Sequence, residues 1–362
     1  MNFHPLTYKC RIYPKKRQVE QFEITLDACQ FLFNSLLKQY KIDIQEKKIT
    51  NKKNYLNEIM EDCIEKYDSI RKLDPSTRKD VLSNVLKSIS HNKNPEHLKL
   101  RDDKVRVKSF LLNDQPEFEL KDNVVLFGKY GKLKLHIGKT ISYQKVISYR
   151  VIYQNKNWFM LVTIRSGEIK PFKKTNKKIG IDMGLNHLVI LSNGEKIDPP
   201  DISQVLKDID DFEVQLSAKQ YNSNNYLRTV DEINRKHAHR KNIINDYYHK
   251  LSTRLVKEYD VIAMETLDIQ EMKKDPRYSR GIFHANWHKL VRMIKYKCEF
   301  YGKTFIQVRK NFPSTQLCSN CGYRYKDITI DVRKWECPKC HTIHDRDVNA
   351  AKNILNEAMK TM

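Results

Sequence analysis

Hydrophobic and polar positions alternate from Leu6 to Tyr13, with Leu6, Tyr8, Cys10 and Ile12 on one face and Thr7, Lys9 and Arg11 on the other, until Pro14 ends the run. That spacing predicts a half-buried strand. From Lys16 the period becomes helical through Val19, Phe22, Leu26, Cys29, Phe33, Leu36 and Tyr40, and it returns in Tyr55–Tyr67 and in Val81–Ile89, the last after the helix-start signal Pro75-Ser76-Thr77. Residues 16–92 therefore read as a helical insertion, with His91-Asn92-Lys93-Asn94-Pro95 as a linker. Alternation resumes between Lys99 and Ser166, in Val105–Val107, Lys132–Ile137, Val146–Tyr153 and, beyond the turn Asn155-Lys156-Asn157, Trp158–Arg165. Several short strands with turns between them predict a small barrel that takes in the first strand. A Lys-rich linker, Pro171–Lys178, precedes a second domain.

That domain opens on Lys178-Ile179-Gly180-Ile181-Asp182-Met183-Gly184, a strand with an acid in its apolar run, continued by Leu188–Leu191, the Ser192-Asn193-Gly194 turn and Glu195–Ile197. A polar helical stretch, Ser203–Tyr259, is interrupted near Tyr221–Asn225. It is followed by the buried strand Asp260–Glu265, an amphipathic helix carrying Trp287, Leu290, Val291, Ile294 and Cys298, the strand Lys303–Arg309, and a final helix, Asp347–Lys360. Alternating strands and helices predict an α/β domain.

Two cysteine pairs interrupt that domain. Cys318 and Cys321, then Cys337 and Cys340, are two C-x2-C knuckles with fifteen residues between them, the spacing of a four-thiolate zinc ribbon, and a redox dithiol would occur once in a βαβ context. Cys10, Cys29, Cys63 and Cys298 stand singly on apolar segments, as buried free thiols would. Nothing in the cysteine usage implies disulfides or secretion, and neither a signal peptide nor an eighteen-residue apolar run is present, so the expected setting is the cytoplasm, with no membrane.

The 362 residues carry 67 Lys+Arg against 44 Asp+Glu, a net charge of +23 spread over the whole chain. A distributed surplus of that size points to a long channel for a polyanion, with a basic surface that serves solubility as the plainer alternative. Aromatic residues among the basic ones, Tyr67, Tyr130, Tyr143, Tyr149 and Tyr153, could stack on unpaired bases or simply pack in the core.

Asp182 and Glu265 occupy strand positions where an apolar residue is expected, and a buried carboxylate is costly unless it is paired or holds a metal. Asp347 opens the last helix, where the dipole favours an ionised acid. Three carboxylates from two strands and a helix can hold two Mg²⁺ for phosphodiester hydrolysis. Singly, Asp182 reads equally as a turn residue, Glu265 as an ion-pair partner and Asp347 as a helix cap.

The chain resembles the transposon-encoded TnpB family of compact RNA-guided nucleases. The residues that carry the resemblance are Tyr8-Lys9-Cys10-Arg11-Ile12-Tyr13-Pro14, Gly180-Ile181-Asp182-Met183-Gly184, His249-Lys250-Leu251-Ser252-Thr253, Met264-Glu265-Thr266-Leu267, Tyr296-Lys297, Pro313-Ser314-Thr315, both cysteine pairs and Asp345–Ile354. The segment His91–Val107 departs from the family's usual Pro-rich, Phe-Lys stretch. The resemblance implies an α+β multidomain protein: an RNase H-like (RuvC) nuclease domain (176–310 and 345–362), an inserted zinc ribbon (311–344), and an N-terminal β-barrel wedge (1–15 and 93–175) carrying a helical recognition lobe (16–92). It further implies Asp182, Glu265 and Asp347 as Mg²⁺ ligands, and Arg333 as the arginine such nucleases place near the scissile phosphate. The implied partners are a guide RNA and a DNA target with a short adjacent motif, with no protein partner required. Other readings follow from the same residues: a nuclease-inactive or weakly active guided DNA-binding protein, against which the presence of all three acids argues, and a strand-joining transposase, a transposase accessory protein or a structural zinc-ribbon DNA binder.

Overall fold

The computed structural model describes residues 5–46, 49–92, 94–102, 106–113, 119–121, 124–126, 130–136, 143–166, 170–184, 186–267, 286–328 and 332–362. The chain divides into two compact units, Met1–Glu168 and Ile169–Met362.

In the first unit, strand β1 (Pro5–Tyr13) is followed by helices α1 (Lys16–Glu46), α2 (Lys52–Lys66), α3 (Asp68–Arg71) and α4 (Pro75–His91). Then come strands β2 (Ser109–Asn113), β3 (Glu119–Lys121), β4 (Val124–Leu126), β5 (Lys132–His136), β6 (Tyr143–Gln154) and β7 (Asn157–Ser166). The strands form one antiparallel sheet in the order β2-β6-β7-β1-β5-β4-β3, and the described pairings do not close it into a barrel. The β6–β7 hairpin turns on Asn155 and Lys156, both at positive φ (50° and 60°), which suits the two-residue turn of a right-twisted hairpin. The apolar stripe of α1 is buried, and Phe22, fully excluded from solvent, meets the rings of Tyr130 and Trp158 at 5.1 Å and Phe110 at 5.8 Å. Burial of one such ring contributes about 2–3 kcal/mol. Asp74 caps α4 by accepting from the Ser76 N–H at 2.8 Å, and Asp80 of α4 ion-pairs with Arg150 of β6 at 2.6 Å.

Tyr130 and Tyr149 are core residues, 5 % and 1 % exposed, so neither offers its ring to a base. Tyr67 and Tyr153 pack half-buried against the same core. The side chain of Tyr143 lies outside the described residues. The expected strand at Val105–Val107 is irregular where described, and β2 starts two residues later, with Phe110 and Leu112 facing inward.

In the second unit, β8 (Lys178–Met183), β9 (Val189–Leu191) and β10 (Lys196–Ile197) precede helices α5 (Ser203–Ser217) and α6 (Asn224–Glu258). They are followed by β11 (Val261–Glu265), helix α7 (Trp287–Tyr301), β12 (Thr304–Val308), the hairpin β13 (Lys334–Glu336) and β14 (Ile343–Asp345), and helix α8 (Arg346–Met359). The five-stranded sheet runs β10-β9-β8-β11-β12, parallel from β8 to β12 and antiparallel through β9 and β10. Helices α6 and α7 contribute Tyr248, Leu255, Trp287, Leu290 and Ile294 to the core over one part of the sheet. Helix α8 lays Ile354 and Ala358 against Ala263 and Val308. Among the described residues no helix is long and apolar enough to cross a membrane.

Candidate active site and four-cysteine centre

Parallel pairing sets the first two acids side by side. Ile181 of β8 pairs with Met264 of β11, and the next residue on each strand, Asp182 and Glu265, is an acid at the carboxyl end of its strand. Their side chains hydrogen-bond, and Asp182 is 7 % exposed. Burial first, then the negative charges of Glu265 and Asp347, drive the Asp182 carboxyl well above the usual carboxylate range. Burial likewise pushes Glu265 up to about 7, against the lowering effect of its bond to Asp182. Acids held in this way take up either protons or a hard cation, because desolvation penalises uncompensated charge.

Asp347 stands in the first turn of α8 and feels the same field, since it is a source of the Asp182 shift. One of its oxygens lies 3.4 Å from Arg333 and the other 3.1 Å from Arg346. Asp345, two residues earlier, has a different environment: it is the helix cap, accepting from the Asp347 and Val348 N–H groups at 3.1 Å each, and it ion-pairs with Lys196 at 2.7 Å. Burial opposes its ionisation, but Lys196 and the helix N–H groups hold its carboxyl below the ordinary value. Of the two, Asp347 is the acid whose charge acts on Asp182.

The helix bearing Asp347 is seated on the sheet at Gly180, where an added Cβ would lie 2.0 Å from the Ala351 carbonyl and 2.8 Å from Leu355 Cβ. Only glycine permits that approach.

The ligand atoms of Cys318, Cys321, Cys337 and Cys340 lie within 4.8 Å of one another, with Cys318–Cys340 and Cys321–Cys337 sulfurs 3.6 Å apart. Thiolates on a tetrahedral zinc are about 3.8 Å apart, given a Zn–S bond of about 2.3 Å. The donor set and spacing therefore fit Zn²⁺. The Thr342 hydroxyl and N–H pull the Cys340 thiol down to about 5, toward the thiolate a metal requires.

Three residues beside the cysteine centre, and Lys297 between α7 and α6, carry no sequence signal of their own beyond the quoted motifs. His344, 6 % exposed, places Nε2 3.0 Å from Cys318 Sγ. Asn349, 1 % exposed, donates to the Leu317 carbonyl at 2.6 Å and accepts from the Ser319 N–H at 2.8 Å. Asn353 donates to the Ser314 and Leu317 carbonyls at 2.8 and 2.6 Å. Lys297, buried in α7, donates to the His249 carbonyl and the Ser252 and Thr253 hydroxyls of α6 at 2.7 Å each, and burial lowers it to about 8. Buried amides at i and i+4 among Ala350, Ala351 and Ile354 were the one available clue.

Three family models match the chain: an OrfB_IS605 helix-turn-helix domain over residues 1–48, OrfB_IS605, described as "Probable transposase", over 160–275, and a Cas12f1-like TNB domain over 287–354. The described part of the first stretch folds as β1 and the single long helix α1. A Streptomyces pristinaespiralis protein named "Putative RNA-guided DNA endonuclease" is 37 % identical over 55 % of this chain and 49 % of its own length. A "TnpB-like protein" of Acanthamoeba polyphaga mimivirus is 27 % identical over 52 % of this chain and 38 % of its own. The chain spans about half the length of the first curated relatives it matches. The structure titled "Cryo-EM structure of the Cas12f1-sgRNA-target DNA complex" covers 98 % of this chain and 99 % of that one at TM-score 0.63 and 15 % identity, a likeness of fold. Matches fall in chain order on the first strand and helix, the acid-bearing sheet and the cysteine module, and in each of them the chain is similar to proteins of the TnpB family.

Proposed function

We propose that this protein is an RNA-guided DNA endonuclease that cleaves target DNA at a RuvC-like centre in which Asp182, Glu265 and Asp347 hold Mg²⁺. The observation that carries the reading is the hydrogen-bonded pair of acids at adjacent strand ends, Asp182 buried and Glu265 half-buried, with a third acid in the same field. When bound, paired Mg²⁺ ions supply an activated water and neutralise charge on the leaving oxygen. Asp182 and Glu265 present oxygens on rigid strands, and Asp347 completes the set from a helix N-terminus that favours its ionised form. Arg333 is 55 % exposed beside Asp347, so its guanidinium can turn to a phosphate oxygen of the strand being cut. Cys318, Cys321, Cys337 and Cys340 hold structural Zn²⁺ in the 311–344 ribbon.

The partners are a guide RNA and a DNA target with a short adjacent motif. In such recognition base pairing reads sequence while the protein supplies a basic channel, which suits a net charge of +23. The wedge (1–15, 93–175) and recognition lobe (16–92) hold the nucleic acids. In their unit Lys87, His91, Arg101, Arg106 and Lys108 line a groove of about 490 Å³. The solved structure of like fold is titled as a complex with sgRNA and target DNA, and the Streptomyces relative is named for the same activity, which favours the same ligands here. The protein works in the cytoplasm at the nucleoid, with no protein partner required.

Asp182→Ala or Glu265→Ala abolishes Mg²⁺-dependent cleavage while guided binding stays within about tenfold, about 1.4 kcal/mol. Cleavage that survives Asp182→Ala at ordinary Mg²⁺ refutes the acid set. A wild type that binds its guided target and never cuts it supports a guided DNA-binding protein instead.

A further inference from the structure

The cysteine centre and the third acid share one stretch of chain. His344 lies two residues after Thr342, whose hydroxyl contacts Cys340 Sγ at 3.3 Å, and its ring pairs across the hairpin with Trp335 at 4.8 Å while Nε2 reaches Cys318 Sγ. A metal-bound thiolate can only accept, so Nε2 carries the proton and donates. The next residue, Asp345, caps α8, and Asp347 follows in the first turn. Asn349 and Asn353, one and two turns further on, clasp the backbone on both sides of Cys318 at Leu317, Ser319 and Ser314. The Arg346 N–H also donates to the Arg333 carbonyl at 2.9 Å, which fastens the start of α8 to the other strand of the hairpin.

Cys318 is thus gripped from before and after Asp347 by side chains on the same helix and its leading strand. We propose that the occupied four-cysteine centre is the positioning element for Asp347, with His344, Asn349 and Asn353 as positioning residues, so that zinc at the ribbon sets the affinity of the acid site for its divalent ions. Ordered by zinc, the Cys318 knuckle fixes Leu317 and Ser319, and through them the rotation and depth of the first turns of α8. Without zinc the knuckle loses its anchor, and Asp347 loses the reference that holds it toward Asp182 and Glu265. The inference rests on the acids being a metal site, as proposed above, but it goes further: the ribbon acts on the chemistry as well as on the substrate.

The test uses the full chain, with Mn²⁺ as the probe of the acids and electron paramagnetic resonance as the readout, and Asp347→Ala defines which Mn²⁺ signal belongs to the site. Asn349→Leu and His344→Phe keep volume and remove the hydrogen bonds to the knuckle. With one zinc per chain still present by elemental analysis, both variants bind Mn²⁺ at least tenfold more weakly than the wild type. His344→Gln, which can still donate to Cys318, restores most of the affinity. Mn²⁺ affinity within twofold of the wild type in zinc-loaded variants overturns the proposal. Where a variant loses zinc or does not fold, the wild type answers the question: Mn²⁺ affinity falls in step with zinc withdrawn by a chelator, and an affinity unchanged after complete withdrawal overturns the proposal. Mn²⁺ binding that ignores Asp347→Ala overturns both this proposal and the acid-site reading. Mn²⁺ binding that follows zinc, in a protein that never cuts DNA, supports this proposal and removes only the endonuclease reading.

Discussion

Gly180→Ala puts the contact between α8 and the sheet to a quantitative test. The new Cβ would lie 2.0 Å from the Ala351 carbonyl, 2.8 Å from Leu355 Cβ and 3.0 Å from the Leu355 nitrogen. A carbon–oxygen contact settles near about 3.3 Å, so the helix must withdraw by about 1 Å. Backbone is the neighbour on the tightest side, and no rotamer change relieves it. Ala351 is one turn beyond Asp347, so the third acid moves with it. A misplacement of about 1 Å in a reacting constellation costs about 100-fold in rate, about 2.7 kcal/mol. Overpacking costs about 1–3 kcal/mol, against a gain of about 0.4–1 kcal/mol from the stiffer unfolded chain. The expected outcome is a melting temperature lower by about 2–8 °C, guided binding near wild type and cleavage down about 100-fold at saturating Mg²⁺. Gly194→Ala is the control: its φ of +96° makes alanine strained, yet the added Cβ meets nothing within 4 Å. It should lower stability by about 1 kcal/mol and leave cleavage intact. A Gly180→Ala protein that melts and cleaves like the wild type would refute the claim that this approach fixes Asp347.

The two acids before α8 separate by role: Asp345→Asn keeps a capping oxygen and most cleavage, losing about 1 kcal/mol at most, whereas Asp347→Asn loses cleavage, and time courses on one guided target decide between them. Purified protein should carry one zinc per chain, and Cys337→Ser should unfold the ribbon, because structural zinc supplies folding free energy on the order of 10 kcal/mol; elemental analysis that finds none removes the centre. Asp260 has a carboxyl held at about 2, by Lys303 first and then by the Asn176 and Thr175 N–H groups despite partial burial. Its folded value lies below the unfolded value of about 3.9, so its contribution of about 2–3 kcal/mol is present above pH 4 and fades between about pH 4 and 2. Asp260→Asn should therefore flatten the acid limb of the melting temperature over that range, and an unchanged limb would rule the pair out as its cause.

Where the period was regular, the chain stated its own structure. The alternation of Leu6 to Ile12 became β1, the stripe from Phe22 to Tyr40 became the buried face of α1, and the break at Tyr221–Asn225 separates α5 from α6. The single cysteines Cys10, Cys29, Cys63 and Cys298 are indeed buried free thiols. The strand β2 was missed because its Phe110-Leu111-Leu112 run is uniformly apolar and shows its two-residue period only once packed. Of the two roles open to Tyr130 and Tyr149, stacking on bases or packing in the core, the structure shows core packing, because a tyrosine among lysines in sequence can still turn its ring inward. At the candidate site, the acids stood out because an apolar strand makes a carboxylate conspicuous. His344 and Asn349 did not, because their partners are a sulfur and backbone groups brought near only by folding. The resemblance implies Asp347 rather than Asp345 as the third ligand and leaves Asp345 to cap the helix or pair with a basic residue, and the structure shows Asp345 doing both.

The pairing order of the second sheet also sets a timetable. Strand β8 at its centre is completed by β11, by β12 and then by α8, all later in the chain, whereas the first unit has a hydrophobic core of its own. On a ribosome adding about 5–20 residues per second, Asp347 follows Asp182, 165 residues earlier, by about 8–33 s. During that interval a nascent chain can already own a folded basic lobe while its acids remain incomplete. A nascent chain therefore passes through a stage in which its basic surface is present and its three carboxylates are not yet together.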